Sequence, residues 1–359
     1  MPARKPAASD CSKRQAFLRV QHPKPKPILK PQPNNAPGAE DRRWLDAAAR
    51  LALRGRPLAR PNPSVGALLV KDGLVVGRGW TQAGGRPHAE AVALAQAGDA
   101  AKGATLYVTL EPCAHVSPRG PSCSSLLANS GIVRAVVGCG DPDPRTAGRG
   151  LETLRAAGID TLLVDHSPSS ASLAGYLIRA RLGRPHVTLK LALSLDGCIA
   201  LTDGSSRWIT GAEARAHVHA RRALAGAILV GGGTWRADTP RLNVRLPGLQ
   251  DRSPERVVLT RGSIEGVRTI AAPEDIATLD ALYLYVEGGA ATAAAFLASD
   301  LVDRLEIYRA PILIGNGLPA LRDIGLSDLA EAHGRWHRAE TRILGPDVYE
   351  RYERFGQKG

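Results

Sequence analysis

The sequence predicts an α/β protein of two domains that meet near Gly183-Arg184-Pro185. Three observations carry this. A length of 359 residues exceeds one ordinary domain. Short apolar runs of strand length alternate with segments of helical period, the pattern of layered α/β folds. That alternation restarts after residue 185, so a second sheet is expected to follow the first. With 44% apolar and 23% charged residues, each half can bury a core.

Residues 1–40 precede the first element. Within residues 1–39 eight basic residues face one acid, Asp10, so more than half of the net charge of +13 sits in about a tenth of the chain. The same stretch carries eight prolines and little apolar surface, and reads as a disordered, partly extended tail. An organelle transit peptide and electrostatic capture of nucleic acid are the other readings of so basic a segment. Its proline spacing defeats an amphipathic helix, and it lacks the apolar stretch of a secretory signal.

Residues 41–54 place Trp44, Ala47, Ala48, Leu51 and Ala52 on one helical face, with Gly55 as a stop. Strands at 65–70 and 74–80 flank Lys71-Asp72-Gly73, a hairpin signal. A helix over 88–97, a strand over 104–110, a helix over 123–130 and a strand over 133–139 follow. A helix over 149–157, a strand over 159–164 and a helix over 170–182 complete a first domain of residues 41–183. The second domain, 184–357, opens with a strand over 186–194 and an Arg/Ala-rich helix over 211–225. A strand over 227–233 runs into a glycine turn, and strands follow at 256–260 and 281–289. A helix over 290–299, a strand over 305–311 and a terminal pair near 341–353 finish it. No apolar run approaches the roughly 18 residues of a membrane helix, which excludes an integral membrane protein of that type.

Five cysteines in a chain this long are reduced thiols or metal ligands rather than a disulfide framework. The densest chemistry is His88-Ala89-Glu90, followed by Pro112-Cys113 and Cys123. One imidazole and two thiolates make three zinc ligands and leave a fourth tetrahedral position for water, whose pKa the metal lowers toward neutrality. A carboxylate must then shuttle protons to a leaving amine, and Glu90 is the candidate. His88 and Glu90 can address one metal only from the first turn of a helix, which Pro87 favours. A zinc that only staples the fold, or two unrelated buried thiols, are the plainer readings, but the full set with a free glutamate favours catalysis. Cys139 ends an apolar strand and reads as core, while Cys11 and Cys198 have no partner at ligand spacing.

His-Ala-Glu with Pro-Cys and a further cysteine resembles the zinc nucleobase deaminases. Those usually space their cysteines C-x-x-C, whereas nine residues separate Cys113 from Cys123. With the stretches PNPSVGALLVKDG (61–73), GGRPHAEAVAL (84–94), ATLYVTLEPCAH (104–115) and DPDPRTAGRG (141–150), the chain is similar to the bifunctional riboflavin-biosynthesis deaminase–reductases. The second half carries LKLALSLDG (189–197), SRWITG (206–211), VGGGTWRADTPRLNVR (230–245), VEGG (286–289) and GPDVY (345–349) in the order of that family. The resemblance spans roughly residues 41–355. It implies a cytidine-deaminase-like α/β/α sandwich followed by a dihydrofolate-reductase-like α/β domain.

The resemblance also implies two steps on one phosphorylated pyrimidine: zinc-dependent hydrolysis of its 2-amino group, then NADPH reduction of its ribosyl group to ribityl. His88, Cys113 and Cys123 then hold zinc, Glu90 moves the proton and Asn62 meets the pyrimidine. NADPH positions fall on Ala192, Trp208, Thr234, Asp238 and the loop Gly289, Ala290, Ala291, Thr292, Ala293, Ala294 and Ala295. Substrate positions fall on Lys190, Ser206, Arg222, Leu242, Arg245 and Glu287. Glycines at 231–233 let backbone approach a ligand, Gly288-Gly289 open a helix that offers N–H groups to phosphate, and arginine suits a phosphate with its bidentate fork. Two departures touch the cofactor side: Thr239 stands where the family has aspartate, and Ala290-Ala291 where it has Pro-Thr. They predict weakened NADPH affinity.

The rival reading is a nucleic-acid-directed base deaminase with a basic RNA-binding tail, for which the second domain has no use. A second half that binds NADPH or a nucleotide without catalysis is the other. The expected partners are a small phosphorylated pyrimidine and further copies of the chain, as dimer or tetramer, with no nucleic acid and no membrane. The expected location is the cytoplasm.

Overall fold

The computed structural model describes residues 37–115 and 117–355. The tail expected over residues 1–40 lies outside them up to residue 36, as do the last residues of the second domain. Helix α1 (Ala39–Ala52) starts two residues earlier than predicted, because Asp41 turns back to accept the Gly38 N–H at 3.1 Å.

The first sheet has five strands: β1 (Gly66–Lys71), β2 (Leu74–Trp80), β3 (Thr105–Val108), β4 (Arg134–Val137) and β5 (Asp160–Leu163). Their spatial order is β2-β1-β3-β4-β5, antiparallel around β1 and parallel from β3 to β5. The β1–β2 hairpin turns on Asp72 and Gly73, both at positive φ (51° and 73°), the pair that a two-residue primed turn demands. Alternation sets the two faces. Leu68, Val70, Tyr107, Val136 and Leu162 pack on Leu45 and Ala48 of α1. Ala67, Leu69, Leu106, Val108, Ala135 and Val137 face the helices α2 (Ala89–Ala97), α3 (Cys123–Ala128) and α4 (Arg149–Ala156). This is a three-layer α/β/α sandwich. Gly79 allows the close approach of α2 to β2, since a Cβ there would lie 2.2 Å from the Ala89 carbonyl oxygen.

The helix predicted over 170–182 is two helices, α5 (Ser167–Ser172) and α6 (Ala174–Leu182). The Ser172 hydroxyl donates to the Ser169 carbonyl at 2.7 Å, and such local bonding ends helices at serine runs.

The second sheet contains β6 (His186–Leu193), β8 (Ala227–Gly231), β9 (Glu255–Leu259), β10 (Arg268–Ile270), β11 (Tyr283–Val286), β12 (Arg304–Arg309), β14 (Trp336–Leu344) and β15 (Asp347–Arg354). The order is β10-β9-β8-β11-β6-β12-β15-β14, parallel as far as β12, with the antiparallel β15 and β14 closing one edge. The short strands β7 (Cys198–Ala200) and β13 (Leu318–Pro319) pair separately. Strands of two or three residues are too short to leave a period, and β7, β10 and β13 gave none. One face of the large sheet packs on α9 (Ala290–Ala298) through Ala293 and Phe296. The other packs on α7 (Ala212–Arg222) through Ala214 and Val218. The glycine turn expected at 231–233 is instead the start of a helix, α8 (Gly232–Asp238), which leaves β8 without a loop.

The two domains meet along the segment after α1. The Arg56 guanidinium donates to the Leu224 carbonyl at 3.1 Å, and Arg252 donates to the carbonyls of Arg54 and Arg56 at 3.0 and 2.6 Å. From the other side the Tyr283 hydroxyl donates to the Ser172 carbonyl at 2.9 Å.

Candidate active sites

In the first domain, His88 is the N-cap of α2, with extended backbone (φ −70°, ψ 162°), and Glu90 lies in the first turn. This is the placement at which an H-x-E pair converges. Cys113 lies on the loop after β3, and Cys123 opens α3. The N-cap role belongs to Ser122, whose Oγ accepts the Ser125 N–H at 3.2 Å, leaving the cysteine sulfur free to turn inward. His88 Nδ1 lies 3.3 Å from Cys123 Sγ and 3.5 Å from Cys113 Sγ, and the three donor atoms all fall within 4.8 Å of one another. The Cys123 N–H points to Cys113 Sγ at 3.3 Å, and the Ser124 N–H to the Cys113 carbonyl at 3.1 Å.

The electrostatics suit a soft cation. A hydrogen bond from the Cys123 thiol, against burial but with help from His88, holds the Cys113 thiol down to about 4, and the same bond pushes Cys123 up. The hydrogen bond to Cys113 raises His88. Burial pushes Glu90, 3% exposed, up to about 7. One imidazole and two thiols with their donor atoms within 4.8 Å of one another are a donor set that fits Zn²⁺ and leaves a fourth position.

Asn62 is the last of the predicted residues here. Its Nδ2 donates to the Gly85 carbonyl at 2.9 Å and lies 3.0 Å from His88 Nε2, on the ring edge opposite the sulfurs. Gly85, at φ 83°, leaves the room: a Cβ there would lie 2.7 Å from Asn62 Cγ.

Sequence reasoning gave Glu111 no role. Its buried carboxylate accepts the N–H groups of Gly148 and Gly150 at 3.1 Å, and of Asp141 and Leu151 at 3.4 Å. It ties the start of α4 and the 141–150 stretch to the Pro112-Cys113 loop. The only signal was a carboxylate at the end of an apolar strand.

In the second domain, three distant segments converge. Glu287, just past β11, accepts from Arg222 Nε at 2.6 Å and from the second guanidinium nitrogen at 3.0 Å. Lys190 Nζ, on β6, is 3.8 Å away. Burial works against the Glu287 charge, but Arg222 and Lys190 hold its carboxyl below the usual range. Burial lowers Lys190, with Glu287 opposing. Arg222 also donates to the Asn243 carbonyl at 3.1 Å. Leu242 is buried at a positive φ of 53°, and the exposed Arg245 leans on His219, its backbone N–H 3.3 Å from Nδ1.

The second domain also has a cleft of about 610 Å³, lined by Gly231, Gly232, Gly233, Thr234, Gly289, Ala290, Ala291 and Thr292 from β8, α8 and the start of α9. Ile199, Leu259, Leu318, Pro319 and Arg322 complete its walls. Its size and the α9 N-terminus fit a phosphorylated dinucleotide. The glycines divide their work. A Cβ on Gly231 or Gly288 would lie 2.2 or 2.4 Å from Thr292, so these two admit the helix, whereas Gly233 has nothing within 4 Å.

Of the predicted cofactor residues, Thr234, Gly289, Ala290, Ala291 and Thr292 line this cleft. Ala293 and Ala294 are buried on the inner face of α9, Ala295 is half-buried, and Ala192 is half-buried on β6. Ser206 and Trp208 are exposed, Trp208 beneath the Arg215 guanidinium at 4.8 Å, and Asp238 pairs with Arg207 at 3.0 Å. None of these three is among the lining residues.

Each half of the chain matches a known family. Residues 39–139 match the cytidine and deoxycytidylate deaminase zinc-binding region, and residues 185–265 and 271–349 match the RibD C-terminal domain. The riboflavin biosynthesis protein RibD of Escherichia coli is 39% identical over 86% of this chain and 98% of its own. That of Aquifex aeolicus is 35% identical over 88% and 99%. Among solved structures, Acinetobacter baumannii RibD superposes with a TM-score of 0.77 at 33% identity, covering 88% of this chain and 99% of its own. The Thermotoga maritima diaminohydroxyphosphoribosylaminopyrimidine deaminase/5-amino-6-(5-phosphoribosylamino)uracil reductase gives 0.78 at 30%, covering 88% and 98%. Nothing in these matches supports a nucleic-acid-directed deaminase. Two matched domains in one order, over nearly the whole length of each relative, leave one conclusion: the chain belongs to the RibD family of bifunctional deaminase/reductases of riboflavin biosynthesis.

Proposed function

We propose that residues 41–183 hydrolyse the 2-amino group of 2,5-diamino-6-(5-phosphoribosylamino)pyrimidin-4-one. Residues 184–357 then reduce the ribosyl side chain, giving 5-amino-6-(5-phosphoribitylamino)uracil. The observation that carries this reading is the His88, Cys113 and Cys123 cluster with Glu90 beside it, in a chain whose second half is a reductase domain.

His88 Nδ1 and the two sulfurs would hold the zinc, which when bound would supply Lewis acidity to a water. Glu90 does the proton work. Its carboxyl, raised by burial to about 7, takes a proton and passes it to the departing amine at neutral pH. Asn62, beside the His88 ring, holds the pyrimidine with its amide.

In the reductase, the cleft would hold NADPH, which when bound would supply the hydride. Thr234 and the loop Gly289–Ala295 would hold it, with Ala192, Trp208 and Asp238 as further contacts. Arg222, Glu287 and Lys190 form a preorganised polar floor for the sugar, supported by Ser206 and Leu242, and Arg245 serves the 5′-phosphate. Thr239 and Ala291 remove groups on the cofactor side, so affinity for NADPH falls while the chemistry stays.

The protein works as a homo-oligomer in the cytoplasm. The edge strand β14 leaves Ile343 71% exposed, an unpaired border that a second copy covers. Among the described residues no helix is long and apolar enough to cross a membrane.

The test is to incubate purified protein with the diamino intermediate, with and without NADPH. Ammonia release without NADPH, and NADPH oxidation only after it, are expected. Absence of ammonia release from zinc-loaded protein would refute the reading.

A further inference from the structure

We propose that Arg322 is a cofactor-binding residue whose guanidinium takes a phosphate of the dinucleotide. This rests on the reading of the cleft as the NADPH site. Arg322 is the one charged side chain among the residues lining the cleft, whose other walls are glycine, alanine, threonine and aliphatic groups. It stands with Leu318 and Pro319 of β13, on a segment separate in sequence from the α9 N-terminus, Gly289 to Thr292. Three other arginines of this domain are already ion-paired, Arg222 with Glu287, Arg221 with Glu306 and Arg207 with Asp238, and Arg245 leans on His219. Among the described residues Arg322 has no hydrogen-bond or ion-pair partner, and its side chain is exposed.

The chemistry of the ligand supplies the need. NADPH carries a pyrophosphate and a 2′-phosphate, and one helix N-terminus offers N–H groups to one of them. The lining contains no other cation, and Ala291 brings no hydroxyl to the helix start. A free guanidinium meets a phosphate with two parallel, charge-assisted hydrogen bonds, a geometry lysine cannot copy.

The experiment is equilibrium binding of NADPH, NADH, adenosine 2′,5′-bisphosphate and ADP to the full chain, followed by ligand fluorescence or calorimetry. Wild type, R322A and R322K are compared at low and high salt. R322A should bind NADPH about tenfold more weakly, with R322K between, and the difference should shrink at high salt. If the 2′-phosphate is the partner, NADH and ADP bind both proteins alike while adenosine 2′,5′-bisphosphate weakens. If the pyrophosphate is, NADH and ADP weaken in step with NADPH. Equal NADPH affinity of R322A and wild type at low salt, with unchanged melting, overturns the assignment alone. Wild-type protein that binds no NADPH overturns the reading of the cleft as well.

Discussion

The guanidinium of Arg56 lies 3.2 Å from the ring centroid of Tyr283, stacking a first-domain side chain on the first residue of β11. Burial lowers the Arg56 pKa to about 10, so it stays charged at neutral pH, and it also donates to Leu224 two residues past Arg222. One buried cation therefore touches both the chain leaving α7 and the strand that ends just before Glu287.

Arg56→Ala should loosen this junction by about 2–3 kcal/mol, through loss of the stack, the hydrogen bond and the packing of its stem. Arg56→Lys should recover little, since the flat guanidinium covers the ring. In calorimetry a joint melting transition should split or broaden. An unchanged profile would contradict the structural reading.

Glu90→Gln should keep the metal and lose ammonia release by a factor of about 10²–10⁴, because the ligand set survives while the proton shuttle does not. Elemental analysis gives zinc per chain, and a coupled ammonia assay gives the rate. NADPH oxidation with already deaminated substrate should be unchanged.

Glu111→Ala strips the acceptor from the N–H groups of Gly148, Gly150 and Leu151, all buried. An expected cost of about 2–4 kcal/mol follows from burying unsatisfied donors. It would appear as a lower urea midpoint with unchanged slope. Glu111→Gln retains one acceptor oxygen and should lie between.

Stability should fall on the acid side of pH 6.5 through His186. Burial pushes this histidine from its ordinary value near 6.5 down to about 3, and its Nδ1 has no partner. Because the folded protein holds the ring neutral, its contribution is full above pH 6.5 and is lost as pH falls toward 3, at up to roughly 1.4 kcal/mol per unit. His186→Leu should flatten that limb in denaturant titrations at pH 7, 6, 5 and 4. A parallel curve for the variant would mean other groups carry the acid dependence.

What the sequence determined by itself is what local geometry enforces. An H-x-E pair after proline can only converge from a helix start, and His88 and Glu90 sit there. The hairpin at Asp72-Gly73 and the alternation of strands and helices follow from turn chemistry and period, which are properties of a few consecutive residues. Tertiary structure alone decided the rest. Glu287, Arg222 and Lys190 meet because sheet register and the seat of α7 bring three segments together, and no spacing announces it. Glu111 looked like one more polar residue at a strand end until α4 delivered its N–H groups. The glycines at 231–233 and 288–289 read alike in sequence, yet Gly231 and Gly288 make room for Thr292 while Gly233 opens on the cleft. Long-range contacts of this kind depend on which surfaces are buried against each other, and burial is a property of the folded chain rather than of any stretch of it.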